Sequence, residues 1–85
     1  MAFKAITTLE QLEALDTNLC VSGYRAGLDQ QPDYTQRDQA YWHGYLNGCV
    51  DGGHMQASAE QRQLAAACIA DPARSPFAAL IRRQA

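Results

Sequence analysis

Apolar residues recur along this chain at three- and four-residue steps, the spacing of one helix face, and no run alternates at the two-residue step of a strand. Leu9, Leu12, Leu15 and Leu19 make the first stripe, and Gly23, Ala26 and Gly27 continue it. Two overlapping capping boxes open it, Thr7 with Glu10 and Thr8 with Gln11. Asp16 falls near the stripe and interrupts it. The pattern fits one long helix, or a short helix to Leu15 and a second one capped by Asp16 or Thr17 that runs to about Leu28. Pro32 stops the incoming helix, so Gln30 to Tyr34 reads as a loop. Thr35 followed by Asp38 predicts the next helix start. That helix carries Tyr41, Trp42, Tyr45, Leu46, Cys49 and Val50 over about half its circumference, with His43, Asn47 and Asp51 as its polar strip. So broad an apolar arc predicts a central helix packed on more than one side. Gly52-Gly53 ends it.

Ser58 with Gln61 is a further capping box, opening an alanine-rich helix to about Ala70 with Leu64, Cys68 and Ile69 as its larger contacts. Asp71-Pro72 breaks it. Ser75 then caps a last segment with Pro76 in the first helical position and Phe77, Leu80 and Ile81 on one side. Arg82 and Arg83 suit the negative end of that helix. The predicted fold is all-α: one domain over residues 1–85, four or five short helices, a helix-loop-helix at 20–52 and a C-terminal helical pair at 58–85.

Within the helix-loop-helix a phrase occurs twice. Gly23-Tyr24-Arg25-Ala26-Gly27 and Gly44-Tyr45-Leu46-Asn47-Gly48 both read Gly-Tyr-x-x-Gly, and Gly52 extends the second at the same spacing. Glycine inside a helix costs roughly 1 kcal/mol relative to alanine. Several on one face imply close approach of another backbone. The expected contact joins Gly23 and Gly27 to Gly44 and Gly48, with Tyr45 and the other rings closing the sides. A docking groove for a partner, the seam of a homodimer, and helix capping are the other readings of the same strips.

Eighty-five residues form one domain with a small core. Apolar residues make up 47% of the chain, as in ordinary folded proteins. Apolar runs are only a few residues long, so no membrane span is expected. Residues 1–11 hold no continuous apolar core and no cleavage site, so no signal peptide is expected. Cys20, Cys49 and Cys68 sit among apolar or small neighbours and read as buried free thiols of a reducing cytoplasm. A disulfide between two of them, or a redox role, is the other reading. Net charge is −2, with acids in excess over residues 1–57 and arginines over 58–85. Neither half makes a strong field or the basic excess of a general nucleic-acid binder.

Candidate chemistry is sparse. His43, Cys49 and His54 do not fall on one helix face, so no metal site is expected. No nucleophile elbow, phosphate-binding glycine loop or spaced Cys-His pair is present. Glu10, Glu13 and Asp16 read as a solvated face. The expectation is a non-catalytic protein without cofactor. The aromatic residues are more informative. Trp42 with Tyr24, Tyr34, Tyr41 and Tyr45 forms a cluster that is core by default, yet rings beside arginine also anchor interfaces. The candidate contact set is the loop edge Arg25, Tyr34, Arg37, Tyr41 and Trp42. Arg74, Arg82 and Arg83 form a second one.

Over about residues 20–50, Gly23-Tyr24-x-Ala26-Gly27-Leu28, a loop holding Pro32 and Tyr34, and then Trp42-x-Gly44-Tyr45 resemble the ribosome modulation factor family, small bacterial proteins that silence ribosomes in stationary phase. The resemblance implies two helices joined by a loop, and binding to RNA and protein of the small ribosomal subunit. That family is strongly basic. Here residues 1–19 hold Lys4 as their one basic residue, and Asp29 to Asp38 holds three Asp and one Arg. RNA affinity rests on neutralised phosphates. The expectation therefore moves to a cytoplasmic binding and regulatory protein with a protein partner, of the kind that phage and mobile elements direct at a host. A hibernation factor on small-subunit rRNA is the alternative.

Overall fold

The computed structural model describes residues 3–71. Among them four helices form and no strand: α1 (Leu9–Glu13), α2 (Thr17–Asp29), α3 (Gln39–Asp51) and α4 (Ala59–Ala70). The first stripe is thus two helices. Of the overlapping boxes, Thr8 with Gln11 is the one that forms, each side chain reaching the other's backbone. Asp16 caps α2, its carboxylate accepting from the Leu19 N–H at 3.2 Å. The polar residue that flawed the stripe is therefore the cap that divides it. The last predicted helix, Ser75 to Arg83, lies outside the described residues.

At its other end α2 closes on Gln30 in the left-handed region (φ 53°). Asp38 caps α3, not Thr35, which corrects the predicted start by several residues. Thr35 is drawn into a local turn instead. Its N–H and hydroxyl both donate to the Asp33 carboxylate, at 3.0 and 2.6 Å. Gly52 ends α3, and Gly53 at φ 79° takes the chain away. Ser58 and Gln61 cap α4 as the sequence predicts.

α2 and α3 pack together along the repeated phrase, and their contacts show the two helices running parallel. Early residues meet early residues (Gly23 with Tyr41) and late ones meet late ones (Gly27 with Cys49). A helix of this length spans about 20 Å. Residues 30–38, with a reach of about 30 Å when extended, can carry the chain back along it. That return explains why the loop is long and holds no helix of its own.

Each glycine seats the other helix's backbone. A Cβ on Gly23 would collide with the Tyr41 carbonyl, one on Gly44 with the Cys20 carbonyl, one on Gly27 with the Tyr45 carbonyl and one on Gly48 with the Tyr24 carbonyl. The pairs are reciprocal, 21 positions apart, so the repeat packs on its own copy. Since the oxygen lies where Cβ would stand, the glycine α-proton points at it. Four such Cα–H···O contacts add roughly 0.5–1 kcal/mol each. The strips are filled within the chain, so they are neither a partner groove nor a homodimer seam.

Around this seam one buried cluster links all four helices: Leu9 and Leu12 of α1, Cys20 and Tyr24 of α2, Ala40 of α3, and Leu64 and Cys68 of α4. Ile6, Leu15, Leu19, Val21, Leu28 and Ala67 pack against it. Tyr24 is 1% exposed and donates its hydroxyl to the Asp51 carboxylate at 2.7 Å, tying the middle of α2 to the end of α3. His54 reaches back to the Leu28 carbonyl at 3.0 Å and joins the same two helix ends. α4 buries Leu64 and Cys68, one turn apart. It leaves Ile69, expected as a contact, 63% exposed. Cys20, Cys49 and Cys68 are buried free thiols.

Candidate functional site

The Tyr34 turn is held in place from three directions. The Asp33 N–H donates to the Tyr41 hydroxyl at 2.7 Å. Thr35 closes the Asp33 turn, and those bonds hold the Asp33 carboxyl below the usual carboxylate range. The Trp42 indole N–H donates to the Gln36 carbonyl at 2.9 Å. On this anchored turn Tyr34 stands 78% exposed, its ring centroid 6.2 Å from that of Trp42. Trp42 in turn meets Tyr41 edge-on at 5.1 Å and Tyr45 edge-on at 5.4 Å. The result is an aromatic ridge along α3, buried at Tyr41, half-buried at Trp42 and Tyr45, and open at Tyr34.

The structure divides the contact set read from the sequence. Tyr34 and Trp42 meet on the ridge, and Arg37 is exposed on the same loop. Tyr41 is 4% exposed and serves from beneath, as the acceptor that fixes the turn. Arg25 is exposed, but it stands two residues from each of Gly23 and Gly27. Helix periodicity therefore turns it away from the seam with α3. Gly23, Gly27, Gly44, Tyr45 and Gly48 all lie at the helix contact, as their spacing predicts. Arg74, Arg82 and Arg83 fall outside the described residues.

One feature of this face has no counterpart in the sequence reading. The side of α3 turned from the glycines bears Gln39, Trp42, His43 and Leu46, and these floor a cavity of about 240 Å³. Phe3, Lys4, Ala5 and Ile6 form one wall, held there by the Gln39 side-chain amide donating to the Lys4 carbonyl. Met55, Gln56, Ser58, Glu60 and Gln61 form the other. The lining is mainly apolar, and Phe3, Leu46 and Met55 within it stay partly open to solvent. Residues 3–6 show no periodicity, so no pattern rule could place them across α3.

His43 was expected on a polar surface strip. It is half-buried instead, beside the Asn47 amide at 3.2 Å. Burial lowers its pKa from 6.5 to about 4, so the ring is neutral near pH 7. Burial also pushes the Cys20 thiol up to about 11, with the Asp16 and Asp38 carboxylates adding to the shift, and raises Cys68. These thiols are poor nucleophiles. Among the described residues no group of His, Cys, Asp and Glu is arranged to hold a metal ion. Among them too, no helix is long and apolar enough to cross a membrane.

Comparisons with protein-family models, with curated proteins and with solved structures return no match for this chain.

Proposed function

We propose that this is a non-catalytic binding protein that regulates a macromolecular partner, a protein in preference to RNA, and contacts it through the ridge of Tyr34 and Trp42 with Arg37 beside them. The observation that carries this reading is Tyr34, a large ring kept outside on a turn that three hydrogen-bonding groups hold still. An aromatic side chain carried on a held backbone has few torsions left to lose on binding, and such residues anchor interfaces. Asp29 at the end of α2 and Asp33 and Asp38 in the loop outnumber Arg37, which disfavours a phosphate backbone and suits a protein surface. The resemblance to ribosome modulation factors over residues 20–50 supports work within a larger assembly. It also keeps small-subunit rRNA as the alternative, favoured by the exposed ring, which could stack on a base. Host-directed action by a phage or mobile-element protein in the cytoplasm belongs to the same proposal.

The test is capture from a host lysate with tagged wild type, Tyr34→Ala, Arg37→Glu and Arg25→Glu, followed by sucrose-gradient sedimentation. The expected result is a protein partner retained by wild type and Arg25→Glu and lost with Tyr34→Ala and Arg37→Glu. An unchanged partner list across all four would overturn the surface. Co-migration with ribosomes that fades steeply with salt would overturn the preference for protein and establish the RNA reading.

A further inference from the structure

The cavity floored by Trp42, His43 and Leu46 shares Trp42 with the ridge, but what it can bind is argued without the partner reading. Three properties describe what it can take. Its volume of about 240 Å³ exceeds the roughly 150 Å³ of an engineered cavity that holds benzene, so it can house a small ring with a short substituent. Its walls are largely apolar, and His43 within them is uncharged near pH 7. Lys4 and Glu60 bring the only ionic groups of the lining. Bare ions gain little in such surroundings. Finally, Gln61 lines the cavity, and its side-chain nitrogen Nε2, buried beneath that lining, donates to nothing among the described residues. Its Oε1 is already committed, accepting from the Ser58 N–H at 2.8 Å in the α4 cap. A buried donor left unpaired is rare and destabilising.

We propose that this cavity binds a small, uncharged, mainly apolar molecule whose one acceptor oxygen pairs with the Gln61 amide. The ring or alkyl part lies along Trp42, Leu46 and Met55, and the carbonyl or ether oxygen meets Nε2 once the amide turns out of its burial to face the cavity. Water is displaced from the apolar walls, and the amide gains the partner it lacks within the chain.

Four probes of nearly the same outline separate the terms: acetophenone, isopropylbenzene, benzoate and benzamidinium. Trp42 is the only tryptophan, so its fluorescence reports on the cavity directly. The expected result is a saturable change with the two neutral probes and none with the two ions at equal concentration. Gln61→Glu keeps the oxygen that accepts from Ser58 and removes the amide donor, so α4 keeps its cap. In that variant the affinity for acetophenone relative to isopropylbenzene is expected to fall about tenfold, the worth of one hydrogen bond and the carboxylate that replaces it. Leu46→Arg, at a position 46% exposed, closes the mouth and is expected to abolish both changes with circular dichroism unaltered. Absence of any saturable change in wild type overturns the site. Equal or stronger binding of either ion overturns the uncharged ligand. An unchanged ratio in Gln61→Glu overturns the role of the amide.

Discussion

Replacing Gly48 by alanine adds one methyl group where the backbones of α2 and α3 touch. The new Cβ overlaps the Tyr24 carbonyl oxygen and stands 2.9 Å from the Gly27 Cα. Carbon atoms rest about 3.5–4.0 Å apart and carbon and oxygen only a little closer, so the helices must part by about 1 Å to relieve the overlap with the Tyr24 oxygen. A gap of that size forfeits roughly a quarter to a half of the dispersion energy along the seam. Overpacking of a core costs about 1–3 kcal/mol, and the upper end applies because the obstacle is backbone, which has no other rotamer. Loss of the α-proton contact adds about 0.5–1 kcal/mol. Alanine returns about 1 kcal/mol through helix propensity. The net loss is about 2–3 kcal/mol, against a total stability of about 4–13 kcal/mol for a domain of this size. Thermal unfolding followed by far-ultraviolet circular dichroism should show Tm lowered by about 10–20 °C. Gly52→Ala is the control: its Cβ meets the His54 ring at 3.0 Å and the Gly48 carbonyl at 3.1 Å, contacts that shifts of a few tenths of an ångström relieve, and its effect should stay within about 1 kcal/mol. A Gly48→Ala protein that melts at or above the wild-type temperature would refute the reasoning, since that is how alanine behaves at an open helix position.

Other outcomes follow from the same contacts. Tyr24→Phe removes the hydroxyl bonded to Asp51 and should cost about 1–3 kcal/mol, read as a shift in the urea midpoint at constant slope. Burial and the Asp51 carboxylate raise the Tyr24 pKa. This stabilisation is complete below the ordinary tyrosine value of 10.0 and lost as pH climbs above it, so Tyr24 should stay a phenol in ultraviolet titration until the protein unfolds. His43 works in the opposite direction: its pKa is lowered from 6.5 to about 4. Its neutral burial therefore leaves the fold at full stability above pH 6.5, and about 3 kcal/mol is withdrawn as pH falls between those values. His43→Gln should flatten that slope in urea titrations at stepped pH. The buried Cys20 and Cys68, with raised pKa values, should react with a thiol reagent at least tenfold more slowly in native than in unfolded protein; comparable rates would contradict their placement.

Much of the fold could be read from local chemistry. The Thr8–Gln11 and Ser58–Gln61 boxes, Gly52-Gly53 and the repeated glycines each act over a few residues, and each is found where its spacing puts it. The parallel course of α2 and α3 could not be read that way. It is decided by pairing across the seam, and a glycine strip fits either direction. Asp38 displaced Thr35 as a cap because the Asp33 turn satisfied Thr35 first. His43 was read as polar and exposed from its own helix alone, whereas it lines the cavity that residues 3–6 and the α3–α4 connection wall in. The site was legible as residue types only. Nothing local distinguishes Tyr41, which holds the turn from below, from Tyr34, which faces out.

Nuclear magnetic resonance of the wild-type protein can test the backbone seam without any substitution. A Cβ on either Gly27 or Gly48 would stand 2.9 Å from the other's Cα, so the α-protons of the two glycines must be close neighbours. A strong nuclear Overhauser cross-peak between them is the expected result, joined by one between Gly23 and the amide of Tyr45. If both are missing in a folded, fully assigned spectrum, α2 and α3 do not meet through their glycines, and the ridge and cavity built on that contact lose their foundation.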